Sequence, residues 1–490
     1  MKVDRRAFCK AGGATLGALS LSACERAISE LDKRFGDDIP ARIVVPDTVL
    51  VDDRHHFLSR LSFGPTPSSL AEIRESGAQK WLERQLQPSS IDDRMAQLRT
   101  RRFESRFVSS GDCFDFRKEV LRADLVRHTL LKAIYSNRQL LEVMVNFWSD
   151  HLNINIEKGD CVYYKTTDDL DVIRKYALGK FSDLIRASAT GAAMLEYLDG
   201  KDNKVEKAGD APNENYAREL LELHTLGVDG GYTQKDVFEA ARCLSGYRIR
   251  EKFGKGKVFF DPACHDDGAK LVLGQVIPAG GGEADLNRLI RIVSRHPSTA
   301  RHISTKLIRH FVMDQPTSRL TDSLARIFLA SDGSMEAVLR ELFQSKEFFD
   351  NRGNKIKRPF RFLVSAIRAL RAETFARAPL YTYLSSMGQE PFQHPTPDGY
   401  PEETLPWLGS LLWRWNFAFG LGAGRIESVE VDLDGLMTAL GSEGRAEELL
   451  FAYLNGRKPT EEERFCLARH RKNHAELFGL ILSSPAFQRY

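Results

Sequence analysis

Along most of this chain, apolar residues recur three and four positions apart, the spacing of one face of an α-helix. His56 to Leu61 opens such a segment, and Gly64-Pro65-Thr66-Pro67 stops it. Ser68 is placed to cap the next, which runs through Leu70 and Ile73 to Gly77. Two longer helices are predicted over 117–135 and 138–152, split at Ser136-Asn137 with Asn137 as N-cap. The second is apolar on most sides, from Leu140 to Phe147 and Trp148, so it is expected to be buried. Helices over 213–226 and 234–245 end at Gly227 and Gly246, and Thr233 with Asp236 forms a capping-box variant. The helical pattern resumes over 284–294, 298–313, 318–330, 334–348 and 358–372. A Pro-rich stretch, 391–401, then precedes an aromatic helix over 405–419.

Strand signals are sparse. Tyr247-Arg248-Ile249 and Val258-Phe259-Phe260 flank the turn-rich run K-F-G-K-G-K, which predicts a hairpin whose basic loop reads as a solvated tip. The triple glycine at 280–282 lacks the strand-then-helix context of a phosphate loop and reads as a flexible loop. The expected fold class is mainly α, a large multi-helix body with one minor β-hairpin near 247–260. The main helical domain is expected over 46–430, with 431–490 as a helical extension packed on it. An echo between 342–348 and 481–487 reads as a shared way of ending a helix.

The first 24 residues change this picture. Arg5 and Arg6 stand in D-R-R-A-F-C-K, an apolar stretch occupies 11–23, and Leu21-Ser22-Ala23-Cys24 closes it. This reads as a twin-arginine export signal, 1–23, ending in a lipobox, with Asp4 and Cys9 departing from the usual pattern. Lipidation of Cys24 would tether the body to a membrane through residues 24–45, on the periplasmic side of the envelope, at the inner or outer membrane. Lys2, Arg5, Arg6 and Lys10 against Asp4 account for the whole formal net charge of +3. The remainder is nearly neutral, which argues against nucleic acid as a partner. No later stretch is apolar for long enough to span a bilayer. Beyond Cys24 there are five cysteines and no C-x-x-C, so a disulfide framework is not expected.

Three clusters carry candidate chemistry. On a straight helix, Tyr216, Leu220 and Leu223 of N-E-N-Y-A-R-E-L-L-E-L-H make an apolar stripe, and Asn215, Glu219 and Glu222 fall together elsewhere. Two carboxylates at this spacing can share a metal or divide acid and base roles. A solvated face, with Arg218 pairing to Glu214 and Glu222, is the plainer alternative, and composition favours it. His224, in the last turn, suits the helix end as a cap. The loop F-D-P-A-C-H-D-D-G-A-K concentrates His265, Asp266 and Lys270, and His265 is the residue best suited to proton transfer at neutral pH. An Asx turn explains the same loop without chemistry. Last, His151 comes after Phe147 and Trp148 and reads as a core histidine unless the helices bring it to Glu219, Glu222 and His265. No G-x-S-x-G, H-E-x-x-H, Walker loop or haem-attachment motif occurs.

At these clusters the chain resembles a bacterial family known as a domain of unknown function, number 1800. The resemblance runs through F-L-S-R-L-S-F-G-P-T at 57–66, W-L-E-R-Q-L at 81–86, N-F-W-S-D-H at 146–151, 213–227 and 260–270. It continues through H-P-S-T-A at 296–300, D-G-Y-P at 398–401, Trp407 and R-W-N-F at 414–417. It implies an exported, largely helical protein, often encoded beside a second exported protein that resembles sulfatases and alkaline phosphatases. The expected function is therefore a lipid-anchored envelope enzyme, hydrolase-like, acting on an anionic or polysaccharide substrate. Catalysis is expected from His265, Glu219, Glu222 and Asp266, and substrate contacts from Arg218, Lys270, Asn215 and Trp148. One divalent metal is expected on His265, Glu219, Glu222 and His151. The alternative is a non-catalytic scaffold or accessory subunit of the sulfatase- or phosphatase-like neighbour.

Overall fold

The computed structural model describes residues 25, 27–31, 40–207, 209–441 and 444–490. The expected export signal and Cys24 lie outside the described residues, as do residues 26 and 32–39 of the tether.

Helices begin where local caps are strongest. Asp52 opens Asp53–Leu61 by accepting from the Arg54 and His55 N–H groups. Thr66, not Ser68, opens Pro67–Ser76: Thr66 and Ser69 exchange side-chain and backbone bonds, and Pro67 takes the first helical position. Lys118–Tyr135 and Gln139–His151 form the expected pair. Asn137 is not their cap, because its amide donates to the Asp92 carbonyl and its N–H to Asp93. Thr233 and Asp236 close the box that opens Gln234–Leu244.

The stretch 334–348 is two helices, Met335–Gln344 and Lys346–Asp350, joined at Ser345. The Ser345 hydroxyl donates to the Leu342 carbonyl (2.7 Å) and accepts from the Phe348 N–H (3.3 Å). Ser484 repeats this between His474–Ser483 and Pro485–Gln488, donating to Ile481 (2.7 Å) and accepting from Phe487 (3.5 Å). The echo between the two segments is this junction.

The hairpin pairs Tyr247 with Phe260 as expected. Its tip is not wholly solvated, since Lys255 stacks on Phe114 at 3.4 Å. Two further antiparallel pairs accompany it: Lys270–Val272 with Gln275–Ile277, and Glu373–Thr374 with Val429–Glu430. The fold is mainly α with these small sheets at its margins.

A single hydrophobic core runs from Ile43 to Phe487. The C-terminal helices share it: Phe362 meets both Phe417 and Phe487 edge-on at 5.9 Å. Among the described residues no helix is long and apolar enough to cross a membrane. Cys113, Cys161, Cys243 and Cys264 are free and buried, while Cys466 is free and exposed.

Candidate functional site

The helix carrying the Glu219 motif is α-helical only over Asn215–Glu219. Leu220–Thr225 is a π-helical turn, closed by the Leu226 N–H on the Leu221 carbonyl (2.8 Å) and the Thr225 hydroxyl on Leu220 (2.6 Å). A π turn carries one extra residue and rotates the rest of its helix, and such turns cluster at functional sites. The expected stripe shifts accordingly: Leu223 is only half-buried, and Leu221, His224 and Thr225 face the core. His224 is no surface cap. It is fully enclosed, neither ring nitrogen has a partner among the described residues, and burial pulls its pKa down to about 3.

The motif's polar residues divide into used and unused. Asn215 bonds to Leu198 (3.1 Å) and Asp199 (2.9 Å). Arg218 bonds to Glu214 (3.1 Å), as the solvated-face reading expects, and to Gln234 (2.8 Å) in place of Glu222. Glu222 accepts from the Tyr232 hydroxyl at 2.9 Å. Glu219 makes no hydrogen bond among the described residues. It is half-buried, and burial, reinforced by Glu222, raises its carboxyl above the ordinary range.

The loop 260–270 is a closed network. Asp266 holds Arg242 bidentately (2.6 and 2.9 Å), which keeps its carboxyl low and removes it as an acid or base. Lys270 is buried against Asp285 (2.6 Å), so it is not free to bind a substrate. His265 hydrogen-bonds the Ser245 carbonyl through Nδ1 (2.9 Å) and faces Asp285 through Nε2 (3.5 Å). Its polar partners are therefore these two residues, not the carboxylates at 219 and 222. Trp148, too, is interior: it is fully buried and its indole N–H donates to the Ala177 carbonyl (2.9 Å). The expected metal set of His151, Glu219, Glu222 and His265 is not gathered. Among the described residues no group of three or more His, Cys, Asp or Glu side chains is arranged to hold a metal ion.

A different set converges at the π turn that follows Glu219. His151 uses Nε2 on the His224 carbonyl (3.1 Å), and its ring stands 6.1 Å from His224 and 6.3 Å from His302. His302 bonds to the Leu223 carbonyl (3.2 Å). It presses on Gly227, whose φ of +86° and missing side chain admit the ring. His302, Lys306 and His310 recur every fourth residue of Pro297–Phe311 and so share a face. Lys306 is half-buried and makes neither hydrogen bond nor ion pair among the described residues. Burial lowers its pKa, against the attraction of Glu402, Asp150, Asp398 and Glu403.

The loop of D-G-Y-P is fixed beside this centre by hydrogen bonds. Asn153 donates to the His394 and Thr396 carbonyls (3.0 and 2.8 Å), and Tyr197 to Pro395 (3.1 Å). Gly399 lies at φ +74°, where any Cβ would collide with the Asp150 carbonyl oxygen. Asp398 is thereby set within electrostatic reach of both Glu219 and Lys306. Asp150 pairs with Arg358 (2.8 Å), yet burial raises it to about 6. For Glu402 burial also opposes ionisation, but Arg358 and His310 (2.9 Å) outweigh it and hold the carboxyl low. Of this centre, sequence pattern singles out Glu219 and His151. It does not single out Lys306, although the spacing of His302, Lys306 and His310 is visible in it.

Well-formed cavities lie elsewhere. One of about 600 Å³ is lined by Asp93, Tyr135 and Arg371, and one of about 320 Å³ by His55, Lys357 and Phe487. No curated protein and no solved structure matches the chain. A family model described as a protein of unknown function (DUF1800) matches residues 56–489, and the chain belongs to that family.

Proposed function

We propose that this chain is an exported, lipid-anchored envelope protein and a hydrolase of an anionic or polysaccharide substrate, with Glu219 as acid and Lys306 as base. One observation carries the enzymatic part. Glu219 and Lys306 are both half-buried, both without a hydrogen bond among the described residues, and both within electrostatic reach of Asp398. Their surroundings push a carboxyl up and an ammonium down, the directions that suit an acid and a base. Unprotonated Lys306 takes a proton from water as the water oxygen attacks, and protonated Glu219 gives its proton to the departing oxygen. Export and anchoring rest on the Arg5-Arg6 pair and the 21–24 lipobox.

Chromogenic phosphate, sulfate and glycoside esters test the assignment in wild type, Lys306→Met and Glu219→Gln. Turnover of one class should fall at least about a hundredfold in each variant, the scale of a lost acid or base. Unchanged turnover in both variants overturns it. Incorporation of labelled palmitate, lost in Cys24→Ala, tests the anchor.

A separate observation favours the second reading, an accessory subunit of the sulfatase- or phosphatase-like neighbour. Leu405, Leu408, Leu412, Trp413 and Trp415 are exposed along one stretch whose charged member, Arg414, is buried. Leu412→Ser with Trp413→Ser should release the neighbour in co-purification. Retention by the doubly substituted chain sinks this reading.

A further inference from the structure

The cavity of about 320 Å³ lies between Asp53–Leu61, the approach to Pro359–Leu370 and the C-terminal segments. Lys357 lines it. This side chain is 6% exposed, and its ammonium has no hydrogen bond and no ion pair among the described residues. The Phe487 ring lies against it, 3.3 Å from Nζ to the centroid, on the wall of the same cavity. Glu463 also lines the cavity, but Arg457 holds both its oxygens at 2.8 Å. His55 is no counter-charge, since it lies buried with Nε2 on the Tyr453 carbonyl (3.2 Å).

Three more buried cations stand behind this wall, and none has a carboxylate bonded to it among the described residues. Arg60 donates to the Asn351 carbonyl, and Arg361 to the carbonyls of Ser59 and Ser62. Arg414 donates to the Lys357 carbonyl, the Gln488 amide oxygen and the Ser410 hydroxyl. Aromatic rings supply part of the missing compensation, Tyr490 beneath Arg60 at 4.3 Å and Arg361 at 4.6 Å. A buried ammonium without an anion is costly, and a ring offsets only part of that cost. Among these four cations, Lys357 is the one that lines the cavity. The cavity's size is at the lower end of small-molecule sites, and Pro65, Pro485 and Phe487 make one side apolar.

We infer that this cavity binds a small organic anion, a carboxylate or a phosphate ester, with its charge on Lys357 Nζ and its body against Phe487. The site is independent of the Glu219–Lys306 centre. Benzoate and inorganic phosphate, titrated into the whole protein at fixed ionic strength with chloride as control, test it. Competitive acylation of lysines, read by mass spectrometry, should show Lys357 protected severalfold by one or both anions while exposed Lys346 is unchanged. Protection by benzoate alone marks a carboxylate site, and protection by phosphate alone a phosphate site. The same anion should raise the melting temperature saturably in wild type and Lys357→Arg, and not in Lys357→Met. Lys357 acylated equally with and without either anion overturns the inference, and this wild-type measurement stands even where a variant fails to fold.

Discussion

Lys270 and Lys306 are two enclosed lysines with opposite consequences when removed. Lys270→Ala leaves Asp285, fully buried, with only Arg288 (2.9 Å) and a distant His265, and should cost about 3 kcal/mol, the scale of breaking a buried pair. Lys306→Met removes an enclosed amine that no group bonds among the described residues, and should leave stability unchanged or raise it by about 1 kcal/mol. Urea denaturation of the two variants checks both signs, and equal losses would make Lys306 a structural residue. The same contrast explains which residues could be read from sequence. Density of His, Asp and Lys marks out 265–270, but the partners that close that loop, Arg242 and Asp285, stand 24 and 15 residues away. Glu219 was legible because its helix was; its lack of a partner was not, since that is set by residues distant in sequence. Arg218 behaves as an ordinary i,i+4 partner of Glu214, the outcome that local spacing favours.

Element by element, caps were legible only in part: Ser68 and Asn137 do not cap, since Thr66 and a contact to Asp92 and Asp93 take those places, whereas a reciprocal box is satisfied within four residues. Thr233 with Asp236 is the clear case. The π turn at 220–225 was not legible: Thr225 bonding Leu220 and His302 seated on Gly227 hold it, and the second is tertiary. The Lys270–Val272 hairpin is hidden in the sequence because its turn is Leu273-Gly274 rather than Asn-Gly. Leu273 is held at φ +50° while its N–H donates to Asp236 (2.7 Å). Ser345→Ala and Ser484→Ala each remove a hydroxyl that ends one helix and starts another. Each should cost about 1 kcal/mol in thermal or chemical denaturation, the usual worth of a cap. Gly399→Ala must relieve both a collision with Asp150 and a left-handed backbone, and should cost about 2 kcal/mol or more. Its activity loss should exceed the part that instability explains, because the loop sets Asp398 within electrostatic reach of Glu219 and Lys306. A variant as active per folded molecule as wild type would detach the loop from the site.

Across the whole molecule, enclosed neutral histidines set the acid limit. Burial lowers His55, His302 and His310 to about 4 and His224 to about 3, from an ordinary 6.5. The unfolded chain takes up these protons as pH falls through 6.5, and the folded chain does not until near 4 or below. Their contribution to stability is therefore full above 6.5 and drains away towards 4. Asp150, raised to about 6, acts in the opposite sense, with its contribution full below 3.8 and gone above 6, as do the raised Asp124, Asp168 and Glu219, but His56, His128, His151 and His296 are lowered as well and add to the histidine side. The melting temperature should fall steadily from pH 7 to 4; a flat profile would mean that these rings are charged in the folded state. The shared core also bears on the expected boundary near 430, since Phe417 and Phe487 meet on Phe362 across it. The thiols give this body a further property. Burial pushes Cys113 up to about 11 and Cys161 and Cys243 up to about 12, and Cys264 is enclosed as well, while Cys466 stands outside. Among the described residues a thiol reagent in native buffer meets Cys466 first and then waits on the breathing of each helix to reach the rest. The order in which the enclosed four are modified is a clock, cut into the chain at four depths, for which parts of the fold open first.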